Sequence, residues 1–291
     1  MIRALMIALL LAAPAMAQER LKVSAVAYPL AWMAEGIGGD LVEVTFPVPA
    51  DADPAFWRPN IAAIAAFQQS DVILLNGAGF ADWTAKASLP RRALTDTSAG
   101  ITDRLIETEA ITHSHGDDDP HSHAATATFL WLDPAMAQAQ ADAVHHALSR
   151  RMSAGQETLD AGHAEVTASL TALTAQAEAI AASHGGTRLL ASHPRYQYLA
   201  RAARLEVTAV SWASDAVPDA DQIAELSALQ QQTGAAIMLW EETPPDAAIE
   251  AVAALGLTSV LVPTLANRPE TGDYATVLAE ALARLSAALA E

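Results

Sequence analysis

Apolar and polar residues alternate over 21–27 (LKVSAVA), a strand pattern that runs on into a helix ending at Gly36–Gly39. Residues 41–49 (LVEVTFPVP) read as a second strand. Residues 60–70 (NIAAIAAFQQS) read as an amphipathic helix, and 71–79 (DVILLNGAG) as an apolar strand stopped by glycines. Strand and helix in alternation predict a parallel sheet flanked by helices.

Further on, FLWLDP at 129–134 predicts a short strand, with Asp133 as the N-cap and Pro134 in the first turn of the helix that follows. From 134 to about 183 nearly every residue is a helix former, and Gly155 and Gly162 are the weak points. The pattern predicts one helix to about 152 and a second from about 156 to 183, roughly 40 Å long at 1.5 Å per residue. After His184-Gly185-Gly186 the alternation restarts. TRLLASH (187–193), EVTAVSWAS (206–214), AAIMLWEE (235–242) and TSVLVPTL (258–265) read as strands. Helices separate them, and DYATVLAEALARLSAALAE closes the chain as another. The fold class is therefore α/β: two α/β lobes with parallel sheets, joined by one long backbone helix. A ligand cleft is expected between the lobes, where strand C-termini meet. The expected division is a signal peptide at 1–17, an N-terminal lobe at 18–154, a linker helix at 155–184 and a C-terminal lobe at 185–291.

Composition narrows the setting. Arg3, the apolar run Ala4 to Ala13 and the Ala15-Met16-Ala17 pattern predict a cleaved secretory signal. The run is short of the roughly 20 residues that a spanning helix needs. No cysteine follows the cleavage site, so no lipid anchor is expected and a free periplasmic protein of a Gram-negative cell is. The chain has no cysteine at all, so no disulfide contributes to stability. A net charge of −18 disfavours a nucleic-acid partner, which needs clustered Lys and Arg, and attracts cations instead. The sequence has no nucleophile elbow, phosphate-cradling glycine loop or His-Glu-x-x-His phrase, so an enzyme is not expected.

The densest chemistry is HSHGDDDPHSH at 113–123, where His113, His115, His121 and His123 stand among three aspartates. Short His-rich tracts are usually metal-linked. The phrases SDVILLNGAGFADW (70–83), FLWLDP (129–134), ASHPRYQYLARAARL (191–205), AAIMLWEE (235–242) and GDYATVLAEAL (272–282), in this order and with a His-rich insert, resemble the metal-binding receptors of zinc and manganese ABC importers. The resemblance covers nearly all of the chain after residue 17. It implies a single divalent ion between the lobes, held by about four side chains, typically His with a carboxylate.

Measured against that resemblance, most of the expected ligands are replaced. Where the family has an Asp-Pro-His phrase, this chain reads Asp53-Pro54-Ala55, followed by Phe56-Trp57-Arg58-Pro59. Where it has His before x-Trp-Leu-Asp-Pro, this chain has Phe129. The expected aspartate before the last helix falls near Val262 or Pro263, and only His193 survives. Two repairs follow. The loop histidines could complete a site with His193 and Glu241, the latter at the end of an apolar strand, at the cost of ordering a loop. Alternatively, the cleft has changed its guest. Phe56, Trp57, Phe129, Trp131, Tyr196 and Trp240 would then form aromatic walls, and Arg58 and Arg195 would hold a small anion or a metal chelate. A third class, a periplasmic metal chaperone working through the loop, would also keep the tract and lose the cleft. Zn2+ is the expected ion, because imidazole suits zinc while manganese prefers carboxylates; Mn2+ or no metal are the alternatives. The expected partner is an importer's membrane permease or another metal-binding periplasmic protein, and the chain is expected to be a monomer. His145, His146 and His163 fall on predicted helices; His145 and His146 are adjacent and point to different faces, so they are expected to form no shared site, and His163 and His184 are expected at the surface.

Overall fold

The structure is a computed structural model that describes residues 19–108, 125–212 and 216–291. The expected signal peptide and the 113–123 tract lie outside these residues. In the first half, β1 (Leu21–Ala25), α1 (Tyr28–Gly38), β2 (Val42–Thr45), α2 (Ile61–Gln68), β3 (Val72–Leu75), the single turn α3 (Trp83–Lys86) and β4 (Leu94–Asp96) follow one another. Their strands form a parallel sheet in the order β2-β1-β3-β4. The short β5 (Glu107–Thr108) and β6 (Ala125–Thr126) pair antiparallel. Next come α4 (Pro134–Arg151) and α5 (Gln156–His184).

The second half contains β7 (Arg188–Ala191), α6 (Gln197–Ala203), β8 (Glu206–Ala209), α7 (Ala220–Thr233), β9 (Ile237–Trp240), α8 (Asp246–Ala253), β10 (Thr258–Leu261) and α9 (Tyr274–Leu289). Its sheet is parallel too, ordered β10-β9-β7-β8. Two parallel four-stranded sheets with a long helix between them are the α/β architecture the sequence predicts. Among the described residues no helix is long and apolar enough to cross a membrane.

Helix α5 has 29 residues and is about 43 Å long at 1.5 Å per residue. Its buried residues are Leu159, Val166, Leu170, Leu173, Ala177 and Ile180. Steps of three, four and seven place them on one stripe. That stripe meets α1, α4, α6 and α9, elements of both halves. The halves therefore share one continuous core, running from Val23 to Leu285. In the second sheet, alternation splits the side chains. Leu189, Ala191, Ile237 and Leu239 face this shared core, whereas Leu190, Met238 and Trp240 enter a separate cluster on the sheet's other face.

One sequence expectation needs correction. Residues 129–134 form no strand. Leu130–Leu132 is a 3-10 turn, with Leu132 N donating to Phe129 O and Asp133 N to Leu130 O. A short apolar run does not reveal by periodicity whether it lies in a sheet, and here its aromatic side chains pack on one another instead. Strand β4 and the β5–β6 ladder were not anticipated, because two- and three-residue strands leave no alternation to read. The capping expectation holds: Asp133 Oδ1 accepts from Ala135 N, and Pro134 opens α4.

Candidate metal-binding cleft

A cleft of about 770 Å³ opens between the halves. The β2–α2 connection lines one side with Asp51 and Asp53; the ends of β7 and β9 contribute His193, Arg195, Glu241 and Glu242. The β10–α9 connection adds Thr264, Asn267, Arg268 and Glu270. The lining thus carries five carboxylates against two guanidinium groups.

Strand register brings the central pair together. β7 and β9 are neighbours, with Ala191 opposite Leu239. Two residues further along, on the same face, stand His193 and Glu241. His193 Nδ1 lies 2.9 Å from Glu241 Oε1. Arg195 Nη1 lies 3.0 Å from Glu241 Oε2, and Arg195 Nη2 donates to Asp53 Oδ2 at 2.7 Å, joining the two walls. Asp53 Oδ1 also takes the amide of Ala55, which fixes the carboxylate's direction. The Arg195 guanidinium lies 5.1 Å from the centre of the Phe129 ring. Glu241 is buried at 7% exposure, whereas His193 and Arg195 reach solvent at 20% and 16%. His193 Nδ1 and Glu241 Oε2 have close charged neighbours but no hydrogen bond of acceptable geometry.

The floor and rim are held more firmly. Trp131 Nε1 donates to Thr264 O at 2.7 Å, Tyr196 Oη to Val262 O at 2.9 Å and Tyr274 Oη to Trp131 O at 2.6 Å. Burial pushes the Tyr196 phenol far above its usual range and the Glu241 charge adds to this, so Tyr196 remains a neutral donor. Across the rim, Asn267 Nδ2 donates to Pro49 O and Ala52 O, and Arg268 pairs with Glu35 at 2.8 Å.

Of the residues singled out in the sequence, His193, Glu241 and Arg195 meet in the cleft, with Phe129 beneath them. Arg58 and Trp57 do not join them: Arg58 is exposed, and Trp57 packs edge-on to Trp83 at 5.9 Å. His113, His115, His121 and His123 lie outside the described residues. The aromatic walls are not formed. Phe56 is 76% exposed, while Trp131, Tyr196 and Trp240 are buried. Phe129 and Trp131 pack with Phe80, and Trp240 faces Trp212 on the other side of its sheet. Sequence reasoning missed the role of Asp53. Its signal was weak: a carboxylate two residues before the expected ligand position. His145 and His163, a pairing the sequence did not suggest, have rings stacked 4.5 Å apart, each bound to an aspartate of the other's helix, Asp160 and Asp142.

Among the described residues no group of three or more His, Cys, Asp or Glu side chains is arranged to hold a metal ion. His193 and Glu241 are two suitable donors, short of the about four that zinc takes.

Two α/β halves, a shared backbone helix and a polar cleft at strand C-termini define a two-lobed solute-binding protein. Residues 23–288 match the family described as ZnuA, zinc-uptake complex component A, periplasmic. The chain belongs to that family, the extracytoplasmic metal-binding receptors of ABC importers, which are transport proteins and not enzymes. No curated protein sequence matches it. The metal-dependent lipoprotein YcdH of Bacillus subtilis has a similar fold, with a TM-score of 0.79 at 20% identity over 92% of this chain and 98% of that one. The Zn(II)-bound ZnuA-like domain of Streptococcus pneumoniae AdcA gives 0.79 at 19% identity, over 94% and 100%. FpvC of Pseudomonas aeruginosa, in complex with Mn2+, gives 0.76 at 20% identity, over 94% and 99%. At these identities the structural likeness speaks for the fold alone.

Proposed function

We propose that this chain captures Zn2+ in the periplasm and delivers it to the permease of an ABC importer. The observation that carries the reading is the charge of the cleft: five carboxylates and an imidazole against two guanidinium groups. Such a lining concentrates cations. A small anion is poorly served, because Arg195 is already engaged by Asp53 and Glu241, and Arg268 by Glu35. His193 favours zinc over manganese. With Glu241 it supplies half a coordination shell, and His113, His115, His121 and His123 complete it. The root of their segment supports this. Ile106 N donates to the hydroxyl of Tyr198 on α6, and Phe129, three residues past β6, lies under Arg195. A chain spans up to about 3.3–3.6 Å per residue, so imidazoles within some fifteen residues of either end can reach the cleft. Ordering that segment on binding weakens affinity relative to a ready-made four-ligand site.

The shortage of described donors also favours a second reading, a chaperone that gathers zinc on the 113–123 tract and passes it to another receptor. Calorimetric zinc titration of the intact protein, a 113–123 deletion and His193→Ala separates the two. The receptor reading expects binding by the intact protein and loss of most of it in both variants. Undiminished tight binding by the deletion refutes the role of the tract. Binding that survives His193→Ala but not the deletion favours the chaperone. No zinc binding by intact protein refutes both.

A further inference from the structure

We propose that Arg195 is a tethered cation that occupies the carboxylate an incoming divalent ion needs, so that ion entry requires its displacement and Arg195 sets the affinity of the cleft. The inference rests on the receptor reading above and deepens it. The guanidinium spans the cleft, with one nitrogen on Asp53 from the first half and another on Glu241 from the second. Glu241 is also the carboxylate beside His193, so arginine and metal compete for one donor. The two ends of the bridge differ. The Asp53 end is a hydrogen bond of 2.7 Å. At the other end, Glu241 Oε2 has no hydrogen bond of acceptable geometry despite lying 3.0 Å from Arg195, and neither does His193 Nδ1 beside it. The contact with Glu241 is held by charge and proximity alone, and so it is the end that exchanges. Asp53 then keeps the displaced guanidinium at the rim.

This arrangement answers a physical difficulty. A nearly buried carboxylate is costly without a compensating charge. Arg195 supplies that charge before metal arrives, which stabilises the metal-free protein and opposes binding. Replacing it uncovers Glu241 and moves both quantities in opposite directions.

The test is zinc affinity of the full chain, measured by competition with a chromophoric chelator, together with melting of the metal-free protein. Wild type is compared with Arg195→Gln, Arg195→Lys and Arg268→Gln. Arg195→Gln is expected to bind zinc roughly tenfold more tightly, a change of about 1.4 kcal/mol, and to melt lower without metal. Arg195→Lys keeps the charge but loses the planar fork that bridges two carboxylates, and is expected to lie between wild type and Arg195→Gln. It serves in place of Arg195→Gln should that variant not fold. Arg268→Gln removes a cleft charge paired elsewhere and is expected to change affinity by less than about threefold, since rim charges act weakly through solvent. If wild type binds zinc and neither Arg195 variant binds more tightly, this inference fails and the receptor reading stands. Equal tightening by Arg268→Gln also overturns it, since general electrostatics then explains the gain. If neither wild type nor the Arg195 variants bind zinc, both readings fall. Binding by Arg195→Gln alone supports the displacement and removes the receptor reading for the native chain.

Discussion

Tyr274→Phe removes one oxygen and no carbon, so it opens no cavity. In the native protein that oxygen donates to the Trp131 carbonyl at 2.6 Å, and both residues are fully buried. The same Trp131 anchors Thr264 at the cleft floor through its indole nitrogen. Loss of a buried hydrogen bond that leaves its acceptor unpaired costs about 1–3 kcal/mol. At about 2–4 °C per kcal/mol for a chain of this size, the melting temperature falls by roughly 2–12 °C. A second signature lies at high pH. Burial raises the Tyr274 phenol well above its usual range, and the charge of Asp133 adds to the effect. A group whose folded value is raised contributes its full stabilisation below its unfolded value, about 10 for tyrosine. That contribution is lost as pH climbs toward the folded value, at about 1.4 kcal/mol per pH unit. Because the unfolded phenol is only half ionised at about pH 10, wild type loses about 1 kcal/mol more than Tyr274→Phe between pH 10 and 11, and the gap between them narrows. Tyr196 and Tyr198 are raised as well but are common to both proteins. Urea unfolding followed by tryptophan fluorescence at pH 7, 10 and 11 measures both effects. Equal stability at pH 7, or parallel losses above pH 10, would refute the reasoning.

Two further substitutions test the packing. Gly162→Ala should destabilise, although alanine is the better helix former by about 1 kcal/mol; its Cβ would lie 2.5 Å from Gly36 O and 2.6 Å from Ile37 O, forcing α1 off α5. A thermal melt at or above that of wild type would contradict this close crossing. Asp273 caps α9 and also accepts from Trp32 Nε1 at 3.2 Å. Asp273→Ala should cost about 1 kcal/mol and Asp273→Asn less, since asparagine keeps the cap acceptor. Burial pushes the Asp273 carboxyl up, but hydrogen bonds from Thr276, Trp32 and Ala275 outweigh it and leave the carboxyl below its usual range. Its charge-dependent stabilisation is present above about pH 4 and lost as pH falls below it. Acid unfolding of Asp273→Asn should therefore show a shallower loss than wild type over that range, and identical profiles would count against the carboxylate.

Much of the fold was legible in local pattern. Residues 156–183 read as one long helix, and α5 runs from Gln156 to His184. Asp133-Pro134 announced the start of α4, and Asp219 caps α7 through a reciprocal pair with Gln222. These are local effects, set by propensities, caps and periodicity within a few residues. FLWLDP failed for the complementary reason: whether an apolar run becomes a strand depends on a neighbour strand that the run itself does not specify. Gly162 is instructive in the same way. It looked like a weak point of a helix, and it is the place where another helix backbone comes within contact.

The candidate site divides along that line. The sequence by itself determined the candidate donors, His193 and Glu241 at the ends of two apolar strands, and the acidity that suits a cation. Only the tertiary structure decided that β7 and β9 are neighbours in a register that sets His193 beside Glu241. It also decided that Arg195 reaches across to Asp53, 142 positions away in the chain. It turned Trp131, Tyr196 and Trp240 into core while leaving Phe56 in solvent. The physical reason is that side-chain chemistry and local backbone preference are carried residue by residue. Which charges meet, and which aromatic rings lose contact with water, depends on how two sheets and one long helix pack around a shared core.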